Sequence, residues 1–324
     1  MAKINYKMIN EIKEQSKVVR KVIGRHTEGG KIVFGEFKKV AGEFAKIKRF
    51  IFLGCGSSYH AALYGNLVFE EVTKLNCEAE FADEFNKRNP VIESNTAIVI
   101  LSQSGETKEA IKAAKIAKQR KVLVVSITNN KKSKLAKLAD VNIDQEAGKE
   151  IAIPATKTFT SQLLLLLLLA LYARQIGGSG SSGFIKELEK LPKNIRYIIA
   201  EGKKIEILAL KIKKQKDLMI LGDKFNYPIA LEGALKLKEA ASVFAEGIAT
   251  AEYEHGPKAL NNLVVIKMNK NKIEIGGKKL TLPAASEIVS CISNVVFFQL
   301  LTYHSAILKG INPDKPKKIK KFVK

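Results

Sequence analysis

The chain has 324 residues, enough for roughly two domains of ordinary size, and 46% of them are hydrophobic, which excludes a disordered polymer. Its net charge is +23, yet the lysines are scattered among glutamates, with no zinc-finger spacing and no aromatic RNA-binding signature. Nucleic acid is therefore not an expected partner, while a basic field of this kind favours an anionic substrate.

Cys55, Cys77 and Cys291 show no CxxC spacing, which argues against a disulfide framework and a zinc site and fits a reducing, cytoplasmic compartment. No two histidines stand at metal-ligand spacing, so no metal is expected. Met1 to Lys7 lacks the apolar core of a signal sequence. The longest apolar run, Leu163 to Ala173, is too short to span a bilayer, so no membrane role is expected. It reads as a helix buried in the core or at an interface.

In chain order, Asn5 to Val22 reads as a helix, with apolar Ile9, Ile12, Val18, Val19 and Val22 among charges. Phe50 to Leu53 reads as a strand, followed by Gly54-Cys55-Gly56-Ser57-Ser58 and a helix from Tyr59 to Leu75. Ala97 to Leu101 reads as the next strand, followed by a Ser/Gly turn and a helix through Lys118. Lys121 to Ile127 is a further β-rich run and Leu135 to Ala139 a short helix. Such alternation implies a parallel sheet with crossover helices, an α/β fold.

The run Gly177-Gly178-Ser179-Gly180-Ser181-Ser182-Gly183 has the composition of a flexible linker. Beyond it the pattern restarts, with a helix over Ile195 to Lys214, a strand at Leu218 to Leu221 and a helix from Pro228 to Ala241. Leu263 to Leu282 offers only short β pieces and turn glycines. The expected organisation is a helical lead-in over 1–30, a first lobe over 31–176, a linker over 177–184, and a shortened second lobe with its tail over 185–324.

The segment Ser102-Gln103-Ser104-Gly105-Glu106-Thr107 follows a strand and precedes a helix. Ligands of open α/β sheets bind at the carboxyl ends of strands, and a helix N-terminus offers N–H donors to a phosphate. Ser57 and Ser58 occupy the equivalent place after the first strand. The competing reading is an ordinary helix cap at Ser104, with Thr107 three residues on. Neither turn is a P-loop or a dinucleotide fingerprint, so ATP and NAD are not expected ligands and no cofactor is expected.

In the second lobe, Glu232, Lys236 and Glu239 are spaced to share a helix face. That spacing fits a surface ion pair as well as an acid–base cluster. His255-Gly256-Pro257 ends a predicted helix, and His255 could serve as a dipole-facing cation or as a general acid–base. His26, His60 and His304 are isolated and read as structural. The Lys317 to Lys321 run is a solvated charge cluster unless it closes over an anion.

Together these segments resemble the isomerase part of glutamine–fructose-6-phosphate aminotransferase and its stand-alone relatives in the sugar isomerase (SIS) family, such as glucosamine-6-phosphate deaminase. The stretches that carry the resemblance are Gly54 to Tyr59, Leu101 to Thr107, Thr156 to Thr160, Tyr227 to Glu239, His255-Gly256-Pro257, and Tyr303-His304 through Lys309-Gly310 to the tail. The lead-in Glu11 to Gln15 joins them. The resemblance implies two tandem SIS-type lobes. It implies that Ser57, Ser58, Ser102, Gln103, Ser104 and Thr107 hold a hexose 6-phosphate. Glu239 would move a proton between C1 and C2, His255 from a neighbouring subunit would open the ring, Lys321 would form a Schiff base, and Lys236 would stand near the reacting end of the sugar.

The implied reaction is interconversion of fructose 6-phosphate plus ammonia and glucosamine 6-phosphate, in a homodimer. The chain begins without the N-terminal cysteine of a glutaminase domain, so ammonia, free or delivered by a separate glutaminase subunit, is the expected nitrogen source. Alternatives are another phosphosugar isomerase or deglycase, or a non-catalytic sugar-phosphate sensor. Three departures from the pattern stand out: Ala155 in place of serine, Asp223-Lys224 in place of Arg-Gly, and a short stretch between Asn262 and Ala284.

Overall fold

The computed structural model of the chain describes residues 5–88, 90–215, 217–261 and 263–316. They form two compact units. The first comprises Val18–Gly148 and Ser161–Lys186; the second comprises the stretch up to Lys17, Lys149–Thr160, and the stretch from Glu187 onward. Helix α1 (Lys7–His26) contributes residues to both.

The first unit holds β1 (Arg49–Gly54), α2 (Ser57–Thr73), β2 (Asn76–Phe81), β3 (Thr96–Ser102), α3 (Lys108–Gln119), β4 (Leu123–Thr128), β5 (Val141–Asp144) and most of α4 (Lys157–Ile176). Its strands form one parallel sheet in the order β2-β1-β3-β4-β5. Both faces are covered, so β1, β3 and β4 are near-continuous apolar runs instead of alternating ones. Along β1, Ile51 and Leu53 join the core formed with Ile98, Ile100 and the alanines of α3. Phe50 and Phe52 point to the other face, where each ring lies within 5 Å of Phe69. Helix α3 is thin on its core side because Ala110, Ala113, Ala114 and Ala117 recur at helical spacing.

Leu163 to Leu171 of α4 are fully buried. This apolar run is therefore core, and the sequence-based idea of a subunit interface made by it is corrected. Two helices, Lys157–Ile176 and Glu287–Leu308, are long and apolar enough to cross a bilayer by length and composition alone, and most of each is buried inside the protein. The Gly/Ser run is partly ordered structure. Ser181 is buried, and a helix begins at Ser182.

The second unit holds α5 (Leu191–Ala200), α6 (Gly202–Ile212), β6 (Asp217–Leu221), α7 (Tyr227–Ala241), β7 (Phe244–Ile248), β8 (Val264–Asn269), β9 (Lys272–Ile275), β10 (Lys278–Thr281) and α8 (Glu287–Leu308). The single helix expected over Ile195 to Lys214 is two helices. Glu201 ends one and precedes the next, its N–H bonding back to the carbonyls of Tyr197 and Ile198. Glycine follows at 202, where helix continuation is least favoured short of proline.

The second sheet runs β10-β9-β8-β6-β7 and is mixed: β8, β6 and β7 are parallel, while β8-β9-β10 is an antiparallel meander. The meander occupies the segment read as shortened. Its strands are joined by the two-residue turns Lys270-Asn271 and Gly276-Gly277, and so short a link permits only antiparallel pairing. Both glycines have positive φ, +50° and +75°, the conformation that a type I′ hairpin requires.

In the second unit a buried polar network ties Lys149–Thr160 to the first turns of α1. Glu11 accepts from the N–H groups of Ile151 and Ala152, and Gln15 bonds Thr160 and Gln299. Glu150 accepts from Thr156 and Thr158, satisfying N–H groups at the start of α4.

Candidate active site

Strand β1 leads through α2 to β2 on one side, whereas β3 leads through α3 to β4 on the other. The strand order thus reverses between β1 and β3, where open α/β sheets bind ligands at the carboxyl ends of strands. Ser57 and Ser58 stand beyond the carboxyl end of β1, Ser102 ends β3, and Gln103 to Thr107 follow it. The structure therefore places all six candidate phosphate-binding residues at the carboxyl ends of two adjacent strands of the first unit, where such a crevice opens.

The second turn is not an ordinary capped helix start. Thr107, not Ser104, is the residue before α3, and its side chain makes no capping bond. Its hydroxyl instead lies 3.0 Å from that of Ser102, which also accepts from the Gly105 N–H at 3.1 Å. Ser104 accepts from the Glu106 N–H at 3.1 Å. Among the described residues, the first-turn N–H groups of α3 have no side-chain acceptor, the arrangement that receives an anion.

A neighbouring turn braces this loop. The N–H groups of Asn129, Lys134 and Leu135 donate, each at 3.0 Å, to Gln103 O, Glu106 Oε1 and Gly105 O. Gly105 has φ +65°, and a Cβ there would lie 2.0 Å from Ser133 Oγ. The sequence reading missed Ser133, because its contribution is contact across two turns and leaves no local signal. It also missed Gln162, whose Nε2 donates to Ser58 Oγ at 3.2 Å.

In the second unit, Glu232 and Lys236 lie on α7 and are almost fully buried, while Glu239 is 18% exposed. Lys236 Nζ donates to Glu239 Oε2 at 2.5 Å and lies 3.3 Å from Glu232 Oε1. The surface-ion-pair reading is thereby corrected, since both members of the Glu232–Lys236 pair are inside. Burial pulls the Lys236 pKa down, but the two carboxylates, Glu232 foremost, outweigh it and hold the ammonium charged above its ordinary range. Spacing predicted the pair; only packing shows that Glu232 is a full member of the cluster.

His255 ends a five-residue 3₁₀ turn, Ala251–His255, and is exposed. Among the described residues it makes no hydrogen bond or ion pair with Glu239 or Lys236. Lys321 lies outside the described residues. Among the described residues no three His, Cys, Asp or Glu side chains are grouped to hold a metal.

Residues 43–172 match the SIS domain family. These residues are a SIS domain. The SIS domain contains the whole hydroxyl crevice, Ser57 and Ser58 with Ser102 to Thr107, while Glu239, Lys236 and His255 follow it in the chain. The chain is 32% identical to a glutamine–fructose-6-phosphate aminotransferase (isomerizing) of Chlorobaculum tepidum, over 98% of its own length and 58% of that relative. It is 35% identical to the enzyme of the same name from Gloeobacter violaceus, over 98% and 58%. The chain thus spans somewhat over half the length of these relatives.

Among solved structures, the C-terminal domain of the Francisella tularensis glucosamine-fructose-6-phosphate aminotransferase superposes with a TM-score of 0.91 at 27% identity, covering 97% of this chain and 98% of that one. A glucosamine-6-phosphate deaminase of Thermotoga maritima gives 0.71 at 26% identity, covering 98% and 99%. Beyond the SIS domain itself, the chain is homologous over nearly its whole length to the isomerase part of these aminotransferases. The alignment with the C. tepidum protein runs over 356 residues, more than this chain's 324, so the relative carries segments absent here.

Proposed function

We propose that the chain interconverts fructose 6-phosphate plus ammonia and glucosamine 6-phosphate. The observation that carries this reading is the buried Lys236 ammonium held by Glu232 and Glu239, on a chain homologous to the isomerase part of the aminotransferases. Aldose–ketose interconversion needs one carboxylate able to take a proton from one carbon and return it to the next. Glu239 is the carboxylate of the cluster that reaches solvent, and it is assigned as that base. A fixed cation beside the base stabilises the oxyanion that develops in the enediol-type intermediate.

Lys236 is assigned that stabilising role because its amine is held protonated and is no nucleophile in that state. The Schiff-base role falls to Lys321. Ser57, Ser58, Ser102, Gln103, Ser104 and Thr107 anchor the phosphate, so the sugar remains bound while its ring is open. His255 is assigned to ring opening in a homodimer, supplied by the neighbouring copy. Its exposure and its lack of a bond to Glu239 within the described residues support that assignment.

Incubating the purified chain with glucosamine 6-phosphate and measuring ammonia tests the reading. Release by the parent and none by Glu239→Gln is expected. No turnover in either direction defeats it. The β8-β9-β10 meander favours a second reading, a sugar-phosphate sensor. That reading predicts thermal stabilisation by glucosamine 6-phosphate without turnover.

A further inference from the structure

The first unit has a second concavity, remote from the hydroxyl crevice. Its volume is about 440 Å³, and it is walled by residues just before and within β1 and by the C-terminal ends of α2 and α4. The crevice sits at the opposite end of α2, a helix of 17 residues and so about 26 Å long. No small ligand spans both.

We infer that this cavity is a second ligand site, for a small oxyanion carrying an apolar body, of the organic phosphate class. Lys48, Lys74 and Arg174 line it, and no acidic side chain among the described residues does. Two helix C-termini at the wall bring roughly −0.5 each, which leaves three full positive charges in clear excess. Lys74 has a weak competitor, since Glu71 lies 3.9 Å away on the exposed surface.

Arg174 is the most telling residue. Its Nε is buried and, among the described residues, has no acceptor; its Nη1 reaches Val72 O only at 3.5 Å. A buried donor left in this state costs stability that an acceptor would restore. The guanidinium fork matches two oxygens of a phosphate or carboxylate. The lining also includes apolar side chains, the exposed Ile176 and the half-buried Leu75, together with the buried rings of Phe44 and Phe50. A bare phosphate would leave the apolar part of this lining uncovered. The volume lies in the range of small-ligand pockets, and the apolar part of the lining favours a ligand with an apolar body beside its charged group.

Phenyl phosphate is the probe, titrated calorimetrically into the full chain and into Lys48→Glu, Arg174→Gln and Ser104→Ala variants. The expected result is saturable binding, weakened about tenfold or more by Lys48→Glu and by Arg174→Gln and retained in Ser104→Ala. Lys48 is exposed, so its reversal leaves the fold intact even if Arg174→Gln does not. Binding that survives Lys48→Glu and is lost in Ser104→Ala places the ligand in the hydroxyl crevice and overturns the inference. So does the absence of saturable binding.

Discussion

Replacing Lys236 by methionine removes the cation 3.3 Å from the Glu232 carboxylate and leaves that carboxylate buried without its counter-charge. Breaking one partner of a buried pair costs about 3–5 kcal/mol, more than most single substitutions. Lys236→Met is expected to lower unfolding free energy by that order in urea titration. Glu232→Gln combined with Lys236→Met should recover much of the loss. If Lys236→Met unfolds like the parent, the cluster is not a buried charge network.

A second prediction at this scale concerns pH. His26 is buried against Phe34 with ring centroids 4.1 Å apart, and its Nδ1 lies 3.0 Å from Val33 O. Burial lowers its pKa below the ordinary 6.5, and burial does the same to His304. The folded state therefore holds fewer protons on these rings than the unfolded chain does. Their contribution to stability is full above about pH 6.5 and is lost as pH falls from there towards the depressed folded values. Thermal midpoints should fall from pH 8 to pH 5.5, with a smaller fall in His26→Gln. An equal fall in that variant would remove His26 from the account. Residue spacing alone revealed the Glu232–Lys236–Glu239 face, because three- and four-residue offsets fix a helix face. It could not reveal burial, which depends on what packs over the helix.

The proposed phosphate loop, Ser102 to Thr107, is an element whose shape depends on one backbone conformation. Gly105 has φ +65° and no space for a Cβ beside Ser133 Oγ. Gly105→Ala must shift the loop or the Ser133 turn, and glucosamine 6-phosphate affinity is expected to fall about tenfold or more while the fold persists. Unchanged affinity in calorimetry would mean that the loop is not the anchor. The β/α alternation of the first unit was readable in the sequence because its buried strands are short apolar runs punctuated by Gly and Ser. The α5–α6 break was not. Ile195, Ile198, Ile205 and Leu208 are all buried, so the apolar pattern continues across the bend, and Gly202 was its only local mark. The meander was visible as short β pieces and turn glycines, but its antiparallel pairing follows from hairpin geometry beyond what periodicity carries.

For the whole molecule, the proposed homodimer makes a mixing prediction. Glu239→Gln and His255→Asn chains are each expected to be inactive. Dissociated and reassembled together, they should regain activity, because a mixed dimer pairs one intact Glu239 with one intact His255. No recovery on confirmed mixing would assign both residues to one chain. The proposal as a whole rests on proton transfer between C1 and C2 by Glu239. The direct measurement is solvent deuterium entering C1 of fructose 6-phosphate, followed by NMR in D₂O. Incorporation by the parent chain and none by Glu239→Gln is the predicted result; no incorporation by the parent, or equal incorporation by both, would contradict it.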